Sequence, residues 1–418
     1  MTIQVSSANE ALVNDPYVQY RDWRARGPIH WSDDYFGGAW VLTTFDAVQA
    51  ALKDPRLSAC RTGGWVMRAP LSGREGRAEL IGMQRLFARA MLFVDKPAHP
   101  RLRQAMQVGF RPSAIQGMSD FVGTAANGLI DEIEATCDID TPFDFIGGFA
   151  RALPARVIAR FLGFRRVDER RFLAWSTDLA RFLGSVYPSE ADVLAARDSL
   201  VGMADYIAAE LSDGAINEDN LLAVLLRAQQ RGEIEDGAEM LSQCAMLLFA
   251  GHETTRHLLG TAVYWLLRQP ERWTSLEDPV RLRSAVRELL RWDSPVQYTG
   301  RRARSSFTLH GKGIRRGDLV LPLIGSANRD PNRYGDPERI DLDRPVGMPL
   351  SFGSGPHVCI GASLTLMEAE CALATLVRRW PRLQLCEHGA EWLAIPLYRG
   401  LKTLMVRRSA DARIQAWA

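Results

Sequence analysis

The longest helical pattern in the chain runs from about Asp236 to Arg268 and is stopped by Pro270. At a rise of ~1.5 Å per residue this helix is roughly 50 Å long, enough to cross a whole protein of this size. Everything else must pack around it. Most of the remaining patterns are helical too, near Asp15–Arg26, Phe45–Lys53, Pro97–Phe110, Ala114–Ala135, Phe145–Leu162, Asp168–Leu183, Glu190–Leu211, Asn217–Gln229, Pro279–Trp292 and Ala362–Arg379. Strand-like alternation occurs in AWVLTTF, RSSFTLHG, DLVLPLIG and LKTLMVRR, which flank the helical mass. No internal repeat or low-complexity linker divides the 418 residues. The expected fold class is mainly α with a smaller β region, in one large domain over residues 1–418 whose β-rich part is drawn from both chain ends.

Composition narrows the function classes. The chain has 51 basic and 49 acidic residues, a net charge of +2, which gives no basic surplus for nucleic acid. Its N-terminus, MTIQVSSANEALVND, has no apolar core of signal-peptide length, and no apolar run approaches the ~18 residues of a membrane span. A soluble, cytoplasmic monomer is expected. The six cysteines, at 60, 137, 244, 359, 371 and 386, are scattered without a CxxC pair and read as reduced thiols.

One of them keeps unusual company. In SFGSGPHVCIGAS, Cys359 lies among Gly353, Gly355 and Gly361, with Phe352 and His357 before it. Glycines permit positive φ and close backbone approach to a ligand. A helix is predicted to begin just after Cys359, and its free N–H groups and positive dipole end favour a thiolate. The segment reads as a thiolate beside a flat, closely packed partner; the plain alternative is a small buried cysteine in a turn. The irregular stretch before it, NRDPNRYGDPERIDLDRPVGMPLSFG, is too long for an idle connector.

The long helix has a polar interruption. In CAMLLFAGHETTRHLLGTAVYWLL, Gly251 costs about 1 kcal/mol against Ala, and Thr254 and Thr255 are mediocre helix formers whose hydroxyls can bond back a turn and bend the helix. An acid, Glu253, beside Thr254 in an otherwise buried helix suggests a site. HETTRH approaches a zinc HExxH, but its histidines, His252 and His257, are five apart instead of four, so the second swings off the face of the first. Elsewhere, RELLR puts Glu288 and Arg291 at i and i+3, and KPAHPRLRQ puts His99 and Arg103 on one helix face.

Phe352 followed by Gly-x-Gly-x-His-x-Cys-x-Gly resembles the haem-binding segment of the cytochromes P450, the haem-thiolate monooxygenases. AGHETT resembles that family's oxygen-activating segment, and Glu288-x-x-Arg291 its ExxR pair; the likeness extends from about Asp15 to Val406. The resemblance implies a triangular prism with the long helix over a non-covalent haem b, iron protoporphyrin IX with a cysteine thiolate ligand. It implies Cys359 as that ligand, with Phe352 packed beside it and Gly353 and Gly361 in its loop. It also implies His357, His99, Arg103 and Arg301 at the haem propionates, and Ala250 and Gly251 leaving room for O2. Glu253 and Thr254 are then the catalytic proton carriers, Glu253 delivering from solvent. Arg344 joins Glu288 and Arg291 in locking the loop under the haem.

The implied reaction needs two electrons, yet the chain has no G-x-G-x-x-G fingerprint and no four-cysteine cluster spacing. A ferredoxin or flavodoxin with its reductase is therefore the expected partner, steered by Arg101, Arg103 or neighbours of His357. By family position the pocket is built from Trp65, Val66, Met67, Leu92, Phe182, Val186, Phe249, Ala250, Thr254, Val296, Tyr298, Ile395 and Leu397. These are mostly apolar, so a lipophilic small molecule is expected, hydroxylated or epoxidised, in secondary metabolism. Arg61, Arg68 or Arg74 would bind a carboxylate if turned inward, but outward, solvated arginines are the expectation. The competing readings are peroxide-driven or dehydrating haem chemistry, and a haem sensor or carrier without turnover.

Overall fold

The computed structural model describes residues 15–62, 66–67, 69–71, 73–164, 168–212, 220–345 and 347–410. Its longer helices are α1 (Pro16–Arg26), α2 (Phe45–Lys53), α3 (Gly73–Phe87), α4 (Ala98–Gln107), α5 (Ser119–Thr136), α6 (Ala152–Leu162), α7 (Glu169–Gly184), α8 (Glu190–Ser212), α9 (Leu221–Gln230), α10 (Gly237–Leu267), α11 (Pro279–Trp292) and α12 (Ala362–Arg379). The strands are β1 (Ile29–Ser32), β2 (Ala39–Leu42), β3 (Leu57–Ser58), β4 (Phe143–Asp144), β5 (Arg301–Ala303), β6 (Phe307–Leu309), β7 (Lys312–Ile314), β8 (Leu319–Pro322), β9 (Leu383–Trp392) and β10 (Leu401–Arg408). They form a five-stranded sheet in the order β1-β2-β8-β5-β3, a three-stranded sheet β4-β10-β9 and the hairpin β6-β7.

Helix α10 is the axis. Asp236 caps it by accepting the Glu239 N–H, and 22 of its 31 residues are buried, so it is core on nearly every side. It touches α3, α6, α7, α8, α11 and α12 along its length. Two glycines let neighbours come close. A Cβ on Gly251 would stand 2.8 Å from Ile158 Cδ1 of α6, and one on Gly260 would stand 2.6 Å from Ile146 Cδ1. Gly251 thus makes room for α6, which corrects its assignment to space above a haem.

The elements depart from the sequence patterns for local reasons. The pattern near Ala114–Ala135 breaks into a short helix, Pro112–Gln116, and α5, because the chain turns at Gly117. The pattern near Phe145–Leu162 begins as a wide π-type turn, Ile146–Ala150, containing Gly147 and Gly148, whose start is held by the Asp144 carboxylate accepting from Ile146 N and Gly147 N. Asn220 is the cap of α9, accepting the Ala223 N–H, not part of it. AWVLTTF ends as a strand at Leu42, since Thr44 is the cap position of α2. Helix α3 went unread: its segment is polar overall, and its buried Leu80, Met83 and Phe87 recur at i, i+3 and i+7.

One ion cluster ties the C-terminal loops to this frame. Glu288 and Arg291 have no accessible surface and pair bidentately, Nε–Oε2 and Nη2–Oε1 both 2.7 Å. Arg291 also donates to the carbonyls of Asn328 (2.8 Å), Pro337 (3.0 Å) and Arg339 (3.2 Å). Glu288 Oε1 accepts from Asp341 N at 2.9 Å and Arg344 Nε at 3.3 Å. Five separate points of the loop after residue 327 are thereby held by one helix turn.

Two outcomes test this frame. Arg291→Met strands a buried carboxylate and should cost about 3–5 kcal/mol, read as a lowered urea midpoint. Gly251→Ala should cost about 1–3 kcal/mol through overpacking, and Ile158→Ala should recover part of that loss in the double variant. Additive losses would show that the two residues do not press on each other.

Candidate active site

The Cys359 loop is shaped by two positive-φ glycines, Gly353 at 72° and Gly355 at 75°. Gly355 also presses on the end of α2, where a Cβ would lie 2.9 Å from Lys53 Cγ and 3.0 Å from the Leu52 carbonyl. Cys359 N–H donates to the Phe352 carbonyl at 2.8 Å and closes the loop, with the Phe352 ring buried. Upstream, Leu350 N–H donates to Asn328 Oδ1 at 3.0 Å and Ser351 Oγ to the Leu290 carbonyl at 2.6 Å. The loop is therefore rigid at its base, yet Cys359 itself is exposed. Gly361 caps α12, and a Cβ there would stand 3.9 Å from the Cys359 sulfur.

Protein crowds the sulfur on its other sides, and that burial pushes the Cys359 thiol up, against the opposing pull of the Gly361 N–H and Arg103. The helix start alone therefore does not yield a thiolate, which corrects the sequence expectation. A metal cation bonded to sulfur removes that proton outright. Cys244, by contrast, is fully buried with its thiol pushed up to about 12, an inert core residue.

Beside the loop lies a cluster rich in cations and poor in acids. The His99 and His357 rings are 4.0 Å apart, and His99 Nε2 is buried with no hydrogen-bond partner. Arg103 donates to the Val358 carbonyl at 2.8 Å. Arg301 is 5% exposed and is pulled down to about 10 by burial, with Asp95 opposing. His357 is pulled down to about 3 by burial, with His99 and Arg301 adding to the effect. The one acid near these groups, Asp95, is taken by Arg304 at 2.5 Å, by Ser58 and by the Ala59 N–H. Arg61 turns inward to join them, which corrects the outward expectation. It lies 4.7 Å over the Phe93 ring and is pulled down to about 9 by burial and Arg301. An unpartnered buried donor on His99, with the Arg103 and Arg301 guanidiniums beside it, suits a flat group carrying two carboxylates.

On α10, Ala250 is exposed and Thr254 half-buried, so the helix has an open stretch at its polar interruption. Thr254 Oγ1 donates to the Ala250 carbonyl at 2.9 Å, and Thr255 Oγ1 to the Gly251 carbonyl at 3.2 Å, but Thr255 faces inward. Glu253 is 1% exposed and faces inward too. Arg256 Nη1 lies 3.0 Å from it, His252 Nδ1 3.3 Å and His257 Nε2 3.5 Å. Burial would raise this carboxyl, but the His252 hydrogen bond and the Arg256 charge win and hold it well below the usual range. Glu253 thus has no direct contact with solvent. Its neighbours His252 and, 2.7 Å from His252 Nδ1, Ser176 Oγ are buried as well, and His252 Nε2 lies 3.0 Å from the Arg151 carbonyl. No group of three His, Cys, Asp or Glu suited to a metal ion occurs among the described residues.

The expected pocket divides. Leu92 is exposed, and Met67, Val296, Ile395 and Leu397 are partly open. Val66 and Phe182 have no accessible surface, and Phe249 has almost none. Phe182 stacks on Phe87, 6.2 Å between centroids. Tyr298 and Val186 pack in an aromatic cluster with Tyr35, whose ring is 5.1 Å from Tyr298. These five expected lining side chains are buried, with little or no surface open to a ligand. Trp65 and Arg68 lie outside the described residues, as does the Arg74 side chain. Arg101 is held by Glu239 (2.7 Å) and Glu235 (2.9 Å), so it is not a free docking charge.

The model of the Cytochrome P450 family matches residues 272–396. The biotin biosynthesis cytochrome P450 of Bacillus subtilis is 30% identical over 409 residues, 97% of this chain and 99% of that one. The cytochrome P450 monooxygenase PikC of Streptomyces venezuelae is 31% identical over 412 residues, 97% and 94% of the two chains. The solved structure of P450BioI with an acyl carrier protein bearing hexadec-9Z-enoic acid superposes with a TM-score of 0.84 at 28% identity, over 97% of this chain and all of that one. No helix among the described residues is long and apolar enough to cross a membrane. With near-complete coverage by such relatives, this chain belongs to the cytochromes P450, as a haem b monooxygenase with a cysteine thiolate ligand that draws electrons from redox partners.

Proposed function

We propose that the Cys359 thiolate would hold the haem iron and that the open stretch of α10 at Ala250 and Thr254 would line the site where O2 is bound. The observation that carries this reading is an exposed thiol on a loop otherwise clamped at Phe352, Leu350 and Ser351. His99, Arg103, His357 and Arg301 hold the propionates. Haem iron with a thiolate ligand supplies O2 binding and O–O cleavage. Thr254 Oγ1 now donates to its own helix; rotated into the open face, it delivers a proton there. Glu253 would take up a proton and hand it on to Thr254, while His252, 3.3 Å away and itself 2.7 Å from Ser176, orients the carboxylate.

The substrate is a lipophilic small molecule of secondary metabolism, hydroxylated or epoxidised against Leu92, Met67, Val296, Ile395 and Leu397. A cytoplasmic ferredoxin or flavodoxin with its reductase supplies the electrons, docking near exposed Lys96 and half-buried Arg103. The chain acts as one domain over 1–418, as a monomer.

The dithionite-reduced, carbon monoxide-treated protein should show the strongly red-shifted Soret band of thiolate ligation, and Cys359→His should abolish it while retaining a coloured protein. An unchanged band in that variant would overturn the ligand assignment. Thr254→Ala should keep haem and ligand binding, yet product per NADPH should fall by at least about tenfold as reducing power goes to peroxide or water. Full coupling in Thr254→Ala would remove the proposed proton role.

A further inference from the structure

The cation cluster beside the Cys359 loop contains one guanidinium more than haem carboxylates require. Arg61, Arg103 and Arg301 carry three fixed positive charges, and Asp95 is already engaged by Arg304. Two propionates leave one charge over. Arg61 is the candidate for it, because it stands outside the set His99, Arg103, His357 and Arg301, on the segment after β3. Its hydrogen-bonding is poor: Nη1 reaches only the Ala59 carbonyl, at 3.4 Å, and no carboxylate lies within ion-pair distance among the described residues. Its cation covers the Phe93 ring at 4.7 Å instead. The inward pose has a built space. A Cβ on Gly300 would meet Arg61 Cδ at 2.8 Å and Nε at 3.1 Å, so the glycine before Arg301 makes room for this side chain.

Arg61 also lies near the segment that carries two of the proposed lining residues. It lies within electrostatic range of Tyr398, which neighbours Ile395 and Leu397 and whose ring is 6.5 Å from Phe249 of α10. A half-buried guanidinium with no carboxylate partner, set beside apolar side chains, is a recognition point for an anion, because partial burial strengthens the pairing.

We propose that Arg61 binds a carboxylate on an otherwise lipophilic substrate, holding that end beside Phe93 and setting which carbon faces the reacting centre. This rests on the haem-thiolate reading above. The same chemistry would serve a haem propionate, and the test separates the two sources.

Purified holoprotein, Arg61→Leu and Arg61→Lys would be titrated by the spin-state shift with three carboxylic acids: tetradecanoic acid, an arylbutyric acid and a diterpene acid. Each would be run against its methyl ester. The wild type should bind at least one acid about tenfold more tightly than its ester. Arg61→Leu should erase that preference while ester affinity, haem content and the carbon monoxide band stay unchanged, and Arg61→Lys should keep part of it. No acid preference in the wild type, or a preference untouched in Arg61→Leu, would overturn the proposal. Loss of haem in Arg61→Leu would overturn it in favour of a propionate contact. Any of these outcomes with the thiolate band intact leaves the haem-thiolate reading standing, whereas absence of the band in the wild type would sink that reading itself.

Discussion

The bidentate pair of Glu288 and Arg291 is the contact on which the site depends. Burying both charges is expensive, and only a full set of partners repays the desolvation. Here the set is complete: Arg291 reaches the carbonyls of Asn328, Pro337 and Arg339, while Glu288 takes Asp341 N–H and Arg344. The irregular stretch before Leu350 has little regular structure of its own to hold it. Its shape comes from these donors and acceptors on α11. Asn328 then hands the constraint forward through its side chain to Leu350 N–H, and Ser351 returns to the Leu290 carbonyl. Cys359 is exposed and still positioned because the strain of ordering its loop is borne at this base.

Electrostatics separates the two sides of the site. Beside the Cys359 loop, cations outnumber acids, and burial weakens the protonation of His357, Arg61 and Arg301. That region is incomplete without anions. On the α10 side the logic inverts. Glu253 is buried but surrounded by Arg256, His252 and His257, so it stays ionised in a sealed cage. His257 is pulled down to about 3, first by burial and then by Arg256, and is therefore a neutral neighbour. Ser176, 2.7 Å from His252, ties this cage to α7.

Behind the residues proposed to meet the substrate lie buried aromatics. Phe182 on Phe87, and Tyr298 on Tyr35, fix the positions of α3, α7 and the β5 approach. The open lining is left to a few aliphatic residues from separate loops. Gly184 shows how tight the join is: a Cβ there would collide with Ile395 Cγ2. Against such a lining, one inward guanidinium carries more specificity than any single apolar contact, because an unpaired partner costs more than a lost methylene.

The sequence by itself determined the long central helix, the Cys359 loop, and the pairing of Glu288 with Arg291. Each is a local pattern: an apolar run with a cap and a proline stop, glycines at fixed spacing, and two charges one helical turn apart. Tertiary structure alone decided where side chains point. Gly251 looked like space for a ligand and proved to be space for Ile158, because a missing Cβ has no direction in sequence. Glu253 and Thr254 are adjacent in the chain, but the roughly 100° between successive helical residues sends one into the core and the other to the open stretch. Helix α3 formed against α8 and α10 despite a polar sequence, since tertiary packing outweighs weak local preference. Arg61 read as a solvated charge until the fold placed Gly300, Phe93 and Arg301 around it. Burial of a charge is a property of its neighbours, and those neighbours lie far away in the chain.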